Sequence, residues 1–210
     1  MNYKLSICLP AHRTHLWEEF YQSAKEIAEG ELMMWGSDDG IFVKDSINKA
    51  IKLHDSIARK DVMALRYTEG RNHQGPPMHK DYWMAWHHPT LRVVPQDFKI
   101  VLVGMFKLDY FREVGGWDCR FEHLNMNCHD LAFRVQHDGG VVYESPVIVC
   151  NHDWNPNEGD HIPVQEAYDK NDLGLFQQVY NGIDARPTKI DYYNWNSSPK
   201  VWKRRFGDLK

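Results

Sequence analysis

Short apolar runs alternate along this chain with segments that repeat hydrophobic residues every three to four positions. The runs are typical of buried strands, and the spaced pattern is typical of amphipathic helices. The predicted strands are 5–9, 31–35, 62–67, 99–106, 141–143 and 147–150. The predicted helices are 14–30, 45–54, 108–114, 129–137 and one within 162–180.

This alternation predicts an α/β fold with a mostly parallel central sheet and helices on both faces. We expect residues 1–160 to form one domain and residues 161–210 a C-terminal helical extension packed on it. Ligands of such sheets bind beyond the carboxyl ends of the strands. Three segments are predicted to lie there: the 37–39 turn, the 71–96 loop and Asn151–Asp153.

The composition of the chain argues against several classes of protein. The chain has 210 residues, 42% of them hydrophobic, and a net charge of −4, so no basic excess suggests nucleic acid as a partner. The 200–205 segment is a local basic cluster, read as a solvated helix face or as a contact for an anionic partner. None of the four cysteines forms a CxxC pair, and no signal peptide or transmembrane run is evident. We therefore expect a reduced, cytoplasmic protein, with homodimerisation left open.

The acidic turn Gly36–Gly40 and the histidine at 152 are candidate metal ligands. Asp38 and Asp39 follow a predicted strand, and carboxylates there suit Mg²⁺ or Mn²⁺. An ordinary Asp-Gly turn is the alternative. His152 follows the last strand and can ligate through a neutral nitrogen or serve a structural role.

Asp130 is the candidate general base. Its predicted position is the first turn of a helix, where a carboxylate either caps the helix or accepts a proton from an attacking hydroxyl. Arg134 lies four residues further on the same helix face, so it can pair with Asp130 and hold it.

The 71–96 loop combines histidines with aromatic residues, including Trp83 and Trp86. Aromatic faces beside polar groups suit sugar rings. A hydrophobic flap on the sheet is the alternative. A zinc site is disfavoured because the histidine spacing matches no standard pattern.

Taken together, these segments resemble family 2 glycosyltransferases of the GT-A fold. Residues 5–13 are similar to the first strand and donor-binding loop, and 28–39 to the strand that ends in the metal-binding DxD element. Residues 111–118 resemble the V-G-G-F-D acceptor-side segment, and 128–130 the E-D that supplies the base. His152 occupies the place of a late histidine that completes the metal site.

The resemblance implies an inverting, metal-dependent transferase that moves a sugar from a nucleotide-diphosphate donor, most simply a UDP-sugar, to a carbohydrate or glycan hydroxyl. It implies Asp130 as the base and Asp38 with His152 as ligands of Mn²⁺ or Mg²⁺. The predicted cofactor-binding residues are Pro10, Ala11, Arg13 and Asp39. The predicted substrate-binding residues are Trp117, Asp118, Trp83 and Trp86.

Three departures from the family pattern are visible. The DxD element lacks its first acid, and the E-D pair is His129-Asp130. Two further strands expected before the DxD strand are absent, so the fold is abbreviated or a segment is missing near residues 24–30. The alternatives are a nucleotidyltransferase, although 10–13 lacks a glycine-rich phosphate loop, and a non-catalytic nucleotide- or sugar-binding protein.

Overall fold

A computed structural model provides the structure of the protein. The strands and helices given below lie in its described part. For 81–83, 85–86, Cys8, Glu69, Leu124, Asn125 and His152 the description covers the backbone alone. The described residues are 4–8, 29–36, 40–69, 81–83, 85–86, 98–118, 120–121, 123–152, 166 and 168–180.

Mixed α/β structure is present in this part of the chain. The strands are β1 (Leu5–Cys8), β2 (Leu32–Trp35), β3 (Gly40–Phe42), β4 (Val62–Glu69), β5 (Asp81–Trp83), β6 (Ala85–Trp86), β7 (Ile100–Val101), β8 (Gly104–Lys107) and β9 (Val142–His152). The helices are α1 (Ser46–His54), α2 (Leu108–Glu113), α3 (Leu124–His137) and α4 (Leu173–Val179), the last preceded by a π-helical turn, Tyr168–Asp172.

The main sheet is mixed, which corrects the prediction of a mostly parallel one. Its strands follow the order β1-β2-β8-β4-β9-β3, and β5 also pairs with β4. Among the described strands, only β1–β2 and β4–β9 pair in parallel within this sheet. β8 is antiparallel to both β2 and β4, so β1, β2, β4 and β9 still run in one direction.

Two strand predictions need correction. The predicted strand 99–106 is divided into β7 and β8, which belong to different sheets. The segments 141–143 and 147–150 form the single strand β9, because a register shift opposite Ala64–Arg66 accommodates Pro146 within the strand. Proline donates no backbone hydrogen bond, and a bulge removes the need for one.

Helix α3 begins five residues before its predicted start at 129, so Asp130 lies in the middle of the helix rather than in its first turn. A distant residue stabilises this earlier start. The Asp172 carboxylate accepts a 2.6 Å hydrogen bond from the backbone N–H of His123, just before the helix. An anion at a helix N-terminus is favourable, and no local sequence signal reveals one supplied from 49 residues away.

Two apolar clusters form the core. The larger lies between the sheet and the helices and includes Trp35, Phe106 and Trp117. The second lies on the outer face of α3 and joins it to the C-terminal helical segment, which we define as Tyr168–Tyr180. Its fully or nearly fully buried members are Ile100, Phe121, Met126, Phe133, Phe176 and Tyr180. This segment therefore packs directly on α3.

Candidate functional site

One edge of the main sheet collects the carboxyl ends of four strands. β1, β2, β4 and β9 point the same way, and β3 begins at the same edge because it is antiparallel to β9. We call this the carboxyl edge. The residues that mark it are Cys8, Trp35, Gly40, Glu69 and His152.

The register at this edge pairs His152 with two residues of neighbouring strands. Gly40 pairs with His152 across β3 and β9, and Glu69 pairs with His152 across β4 and β9. Asp38 and Asp39 lie outside the described residues, but they are the two residues that precede Gly40 in the sequence. The backbones of Gly40 and His152 are thus neighbours in the sheet.

The interior of this edge contains polar contacts between strands. The Thr68 hydroxyl on β4 donates a 3.0 Å hydrogen bond to the Asn151 side-chain oxygen on β9. Thr68 is almost fully buried, so this bond fixes the relative position of the last residues of the two strands. The end of β9 is therefore anchored by backbone pairing and by one side-chain hydrogen bond.

A metal cluster is not evident in the described part of the chain: it contains no group of three or more histidine, cysteine, aspartate or glutamate residues placed to hold an ion. The predicted donor-binding residues Pro10, Ala11 and Arg13 also lie outside the described residues. They follow β1, which ends at the carboxyl edge.

Trp117 is a core residue in the structure. It is fully buried and packs edge-on against Trp35, with ring centroids 6.4 Å apart, and against Phe111 at 5.2 Å. Trp35 is the last residue of β2, and its indole N–H donates a 2.8 Å bond to the Leu102 carbonyl. Trp117 thus supports the end of β2 from within the core, and its predicted substrate contact stays a prediction.

Asp118 is also fully buried, and Arg120 pairs with it through Nε at 2.9 Å and through a second guanidinium nitrogen. Trp83 and Trp86 lie in different sheets, because β5 pairs with β4 and β6 pairs with β7. Their predicted substrate contacts, like that of Asp118, stay predictions.

Asp130 lies in a buried network. It is fully buried, and one carboxylate oxygen accepts a 2.8 Å bond from Nε of Arg134, which confirms the predicted pairing of these residues. The other oxygen accepts a 2.8 Å bond from the hydroxyl of Tyr180. Reasoning from the sequence missed Tyr180. Apolar residues at 173, 176 and 180 mark a buried helix face, but nothing local indicates which polar group the hydroxyl meets.

Arg134 reaches beyond Asp130 to a glycine turn. Its guanidinium donates to the Val114 carbonyl at 2.8 Å and also to the Gly116 carbonyl. Gly115 and Gly116 have φ of 86° and 75°, a backbone conformation that favours glycine. The Val114–Gly116 turn, which we call the glycine turn, is thus held from the last turn of α3.

The nearby thiol of Cys128 is an unsuitable nucleophile. Burial raises the pKa of Cys128 well above its ordinary value, and the neighbouring Trp117 offsets this only in part. The residue therefore stays protonated and packs as a small apolar side chain.

No protein-family model and no curated protein matches this chain. Among the helices that the structure describes, none combines the length and apolar character required to cross a bilayer.

Proposed function

We propose that this protein transfers a sugar from a nucleotide-diphosphate donor to an acceptor hydroxyl with the help of a divalent cation. The observation that carries the proposal is the pairing of Gly40 with His152 at the carboxyl edge. It supports a shared site for the acidic segment and the late histidine. These two segments also follow one another along the chain in the order of the family 2 glycosyltransferase motifs.

In this proposal Asp38, supported by Asp39, and His152 hold Mn²⁺ or Mg²⁺. Carboxylate oxygens with one imidazole nitrogen are ligands that Mn²⁺ accepts. The bound ion would stabilise the negative charge that develops on the departing diphosphate. The carboxyl edge is also where α/β sheets bind nucleotides, which suits a donor site lined by Pro10, Ala11 and Arg13.

The acceptor side of the proposal draws on Asp118, Trp83 and Trp86, with Trp117 supporting the site from the core. The assignment of Asp130 as general base stays a prediction. A base must lie within hydrogen-bonding reach of the acceptor hydroxyl, and Asp130 is fully buried with bonds to Arg134 and Tyr180. A cytoplasmic location and a homodimer also stay predictions.

Donor hydrolysis tests the proposal. The protein is incubated with Mn²⁺ and UDP-glucose, UDP-galactose, UDP-N-acetylglucosamine or GDP-mannose, and release of nucleoside diphosphate is measured. We expect release from at least one donor, its loss with EDTA, and a decrease of about tenfold or more in His152→Ala. The matched control is His137→Ala, an exposed histidine at the end of α3, before β9 starts at the opposite edge.

Two outcomes overturn the proposal in favour of its alternatives. Release of pyrophosphate from a nucleoside triphosphate and a sugar phosphate, with all four nucleotide sugars left intact, identifies a nucleotidyltransferase. Stabilisation by UDP and Mn²⁺ in a thermal-shift assay without turnover of any donor identifies a binding protein. The absence of both turnover and stabilisation removes the carboxyl edge as a nucleotide site.

A further inference from the structure

We propose that Asp130, Arg134 and Tyr180 form a positioning network that couples the C-terminal helical segment to the glycine turn and, through Trp117, to the carboxyl edge. The kinetic part of this inference rests on the proposed function, and a second measurement tests the network by itself. In this reading Asp130 orients Arg134 and does not contact the substrate.

The first step is the state of the carboxylate. Asp130 and Arg134 both have fully buried side chains, and their ion pair is reinforced by the Tyr180 hydroxyl on the second oxygen. Charges removed from water must be paired and hydrogen-bonded, and removal of one partner is strongly destabilising. The arrangement is that of a buried structural anchor, and a substrate hydroxyl would have to replace Tyr180 to reach the same oxygen.

The second step is that Tyr180 is firmly held. Its ring stacks on Phe176 with centroids 4.4 Å apart and packs edge-on against Phe133 at 5.8 Å. Tyr180 is 1% exposed. Withdrawal of the hydroxyl from Asp130 would therefore require an aromatic cluster to open, so Tyr180 is a permanent partner of the carboxylate rather than a movable cover.

The third step is the geometry of the guanidinium. Arg134 joins three acceptors: the Asp130 carboxylate and the carbonyls of Val114 and Gly116. The planar fork of arginine can hold separate acceptors in fixed directions, whereas lysine offers a single point of attachment. Asp130 fixes the fork at Nε, and the fork in turn fixes the two carbonyls of the glycine turn.

The fourth step leads from the turn to the carboxyl edge. Trp117 directly follows Gly116 and packs against Trp35, the last residue of β2. The acidic 37–39 segment begins two residues after Trp35 in the sequence. A shift of the glycine turn would displace Trp117 and loosen the end of β2, where the proposed donor site begins. Small displacements of this kind reduce turnover even when they occur outside the reacting groups.

Tyr180→Phe isolates the network because it removes one hydroxyl and preserves the ring. We expect kcat for donor turnover to fall about threefold to tenfold, with the donor KM changed by less than about twofold. Arg134→Lys should lower kcat further. The matched control is Ile100→Val, which removes a methylene group from the same apolar cluster, removes no hydrogen bond and leaves the Phe176–Tyr180 stack in place; we expect its kinetic constants to stay within about twofold of wild type even where its Tm falls.

Hydrogen exchange followed by mass spectrometry supplies the second measurement. The amides of Val114, Gly115 and Gly116 donate to backbone carbonyls of α2, so they should be protected in the wild-type protein. We expect faster exchange of the peptide containing residues 114–118 in Tyr180→Phe and Arg134→Lys, and wild-type exchange in Ile100→Val. This measurement requires no substrate.

The outcomes separate three explanations. If Tyr180→Phe keeps or raises turnover while Asp130→Asn lowers it by about 10²-fold or more, Asp130 is the base and the positioning proposal is wrong. If Ile100→Val lowers turnover and speeds exchange at 114–118 as much as Tyr180→Phe does, the network has only a general packing role. If the wild-type protein turns over no donor, the proposed function fails, and exchange at 114–118 still decides whether the network positions the turn.

Discussion

Arg134 and His54 are both buried basic side chains, but they differ in their hydrogen bonding within the described residues. Arg134 donates hydrogen bonds to an aspartate and to two backbone carbonyls. His54, the last residue of α1, is fully buried, and within the described residues neither ring nitrogen has a hydrogen-bond partner. The pKa of His54 is lowered to about 4, mainly because burial removes the imidazole from water and also because the positive charge of Lys107 is near.

The lowered pKa of His54 predicts a pH-dependent loss of stability. The unfolded chain binds a proton at this site near pH 6.5 and the folded chain near pH 4, so the free energy of unfolding decreases as pH falls through that window. Lys4 opposes protonation, whereas Asp55 and Asp61 favour it. We expect the stability lost through protonation of His54 to reach at most about 3 kcal/mol. The loss should be constant at pH values below the pKa of His54 in the folded protein.

Urea unfolding of His54→Leu measures this effect. The variant should lose less stability than wild type between pH 7 and pH 4, because leucine has no proton to gain. His137→Gln, at an exposed position on α3, serves as the control and should keep the wild-type slope. Identical slopes for wild type and His54→Leu would show that the imidazole reaches solvent.

At the scale of the element, Gly104 on β8 provides space for the indole of Trp35. A methyl group at this position would lie 2.3 Å from the Trp35 ring, which is too close, and the ring is confined by Phe106 and Trp117. We expect Gly104→Ala to lower the free energy of unfolding by about 1–3 kcal/mol, as overpacked cores do.

Gly174 on α4 is the matched control. A methyl group there meets nothing within 4 Å of it among the described residues, and alanine has the higher helix propensity. Gly174→Ala should therefore raise the free energy of unfolding, by about 0.5 kcal/mol. The two variants should change the urea midpoint in opposite directions; a destabilised Gly174→Ala would indicate contacts from outside the described residues.

The elements that the sequence predicts well are those set by local patterns. Helix 45–54 and strand 31–35 agree with α1 and β2 to within one residue, because apolar periodicity determines both. The start of α3 was wrong because the Asp172 carboxylate that supports it is distant in sequence. The single strand β9 was divided in two because proline is read locally as a strand breaker, whereas the bulge that accommodates it depends on β4.

At the scale of the whole molecule, some parts of the candidate site follow from local sequence, whereas others depend on residues that are distant in the chain. The Asp130–Arg134 pair follows from i,i+4 spacing, and the sequence reveals it. The Tyr180 hydroxyl on Asp130 joins residues 50 positions apart, and the Gly40–His152 pairing depends on the strand order. The mixed sheet was missed because strand direction depends on how the connections cross, and hydrophobic periodicity carries no direction.

The two core clusters share α3, so the C-terminal helical segment should be required for the fold of the rest of the chain. Phe176 and Tyr180 cover Phe133 on α3, and Phe176 also packs against Phe121, which precedes the helix. A chain that ends after residue 160 would expose this apolar face and leave the Asp130–Arg134 pair without the Tyr180 hydroxyl. Exposure of such a cluster removes the hydrophobic stabilisation that its burial supplies.

A protease site inserted after residue 160 tests this dependence against an intact reference. We expect the cleaved protein, with both pieces present, to retain its near-ultraviolet circular dichroism and to elute as one species. After the pieces are separated in urea and the urea is removed, the 1–160 piece alone should bind a hydrophobic dye and unfold without a cooperative transition. A 1–160 piece that refolds cooperatively would establish it as an independent domain, with the C-terminal segment as a dispensable addition.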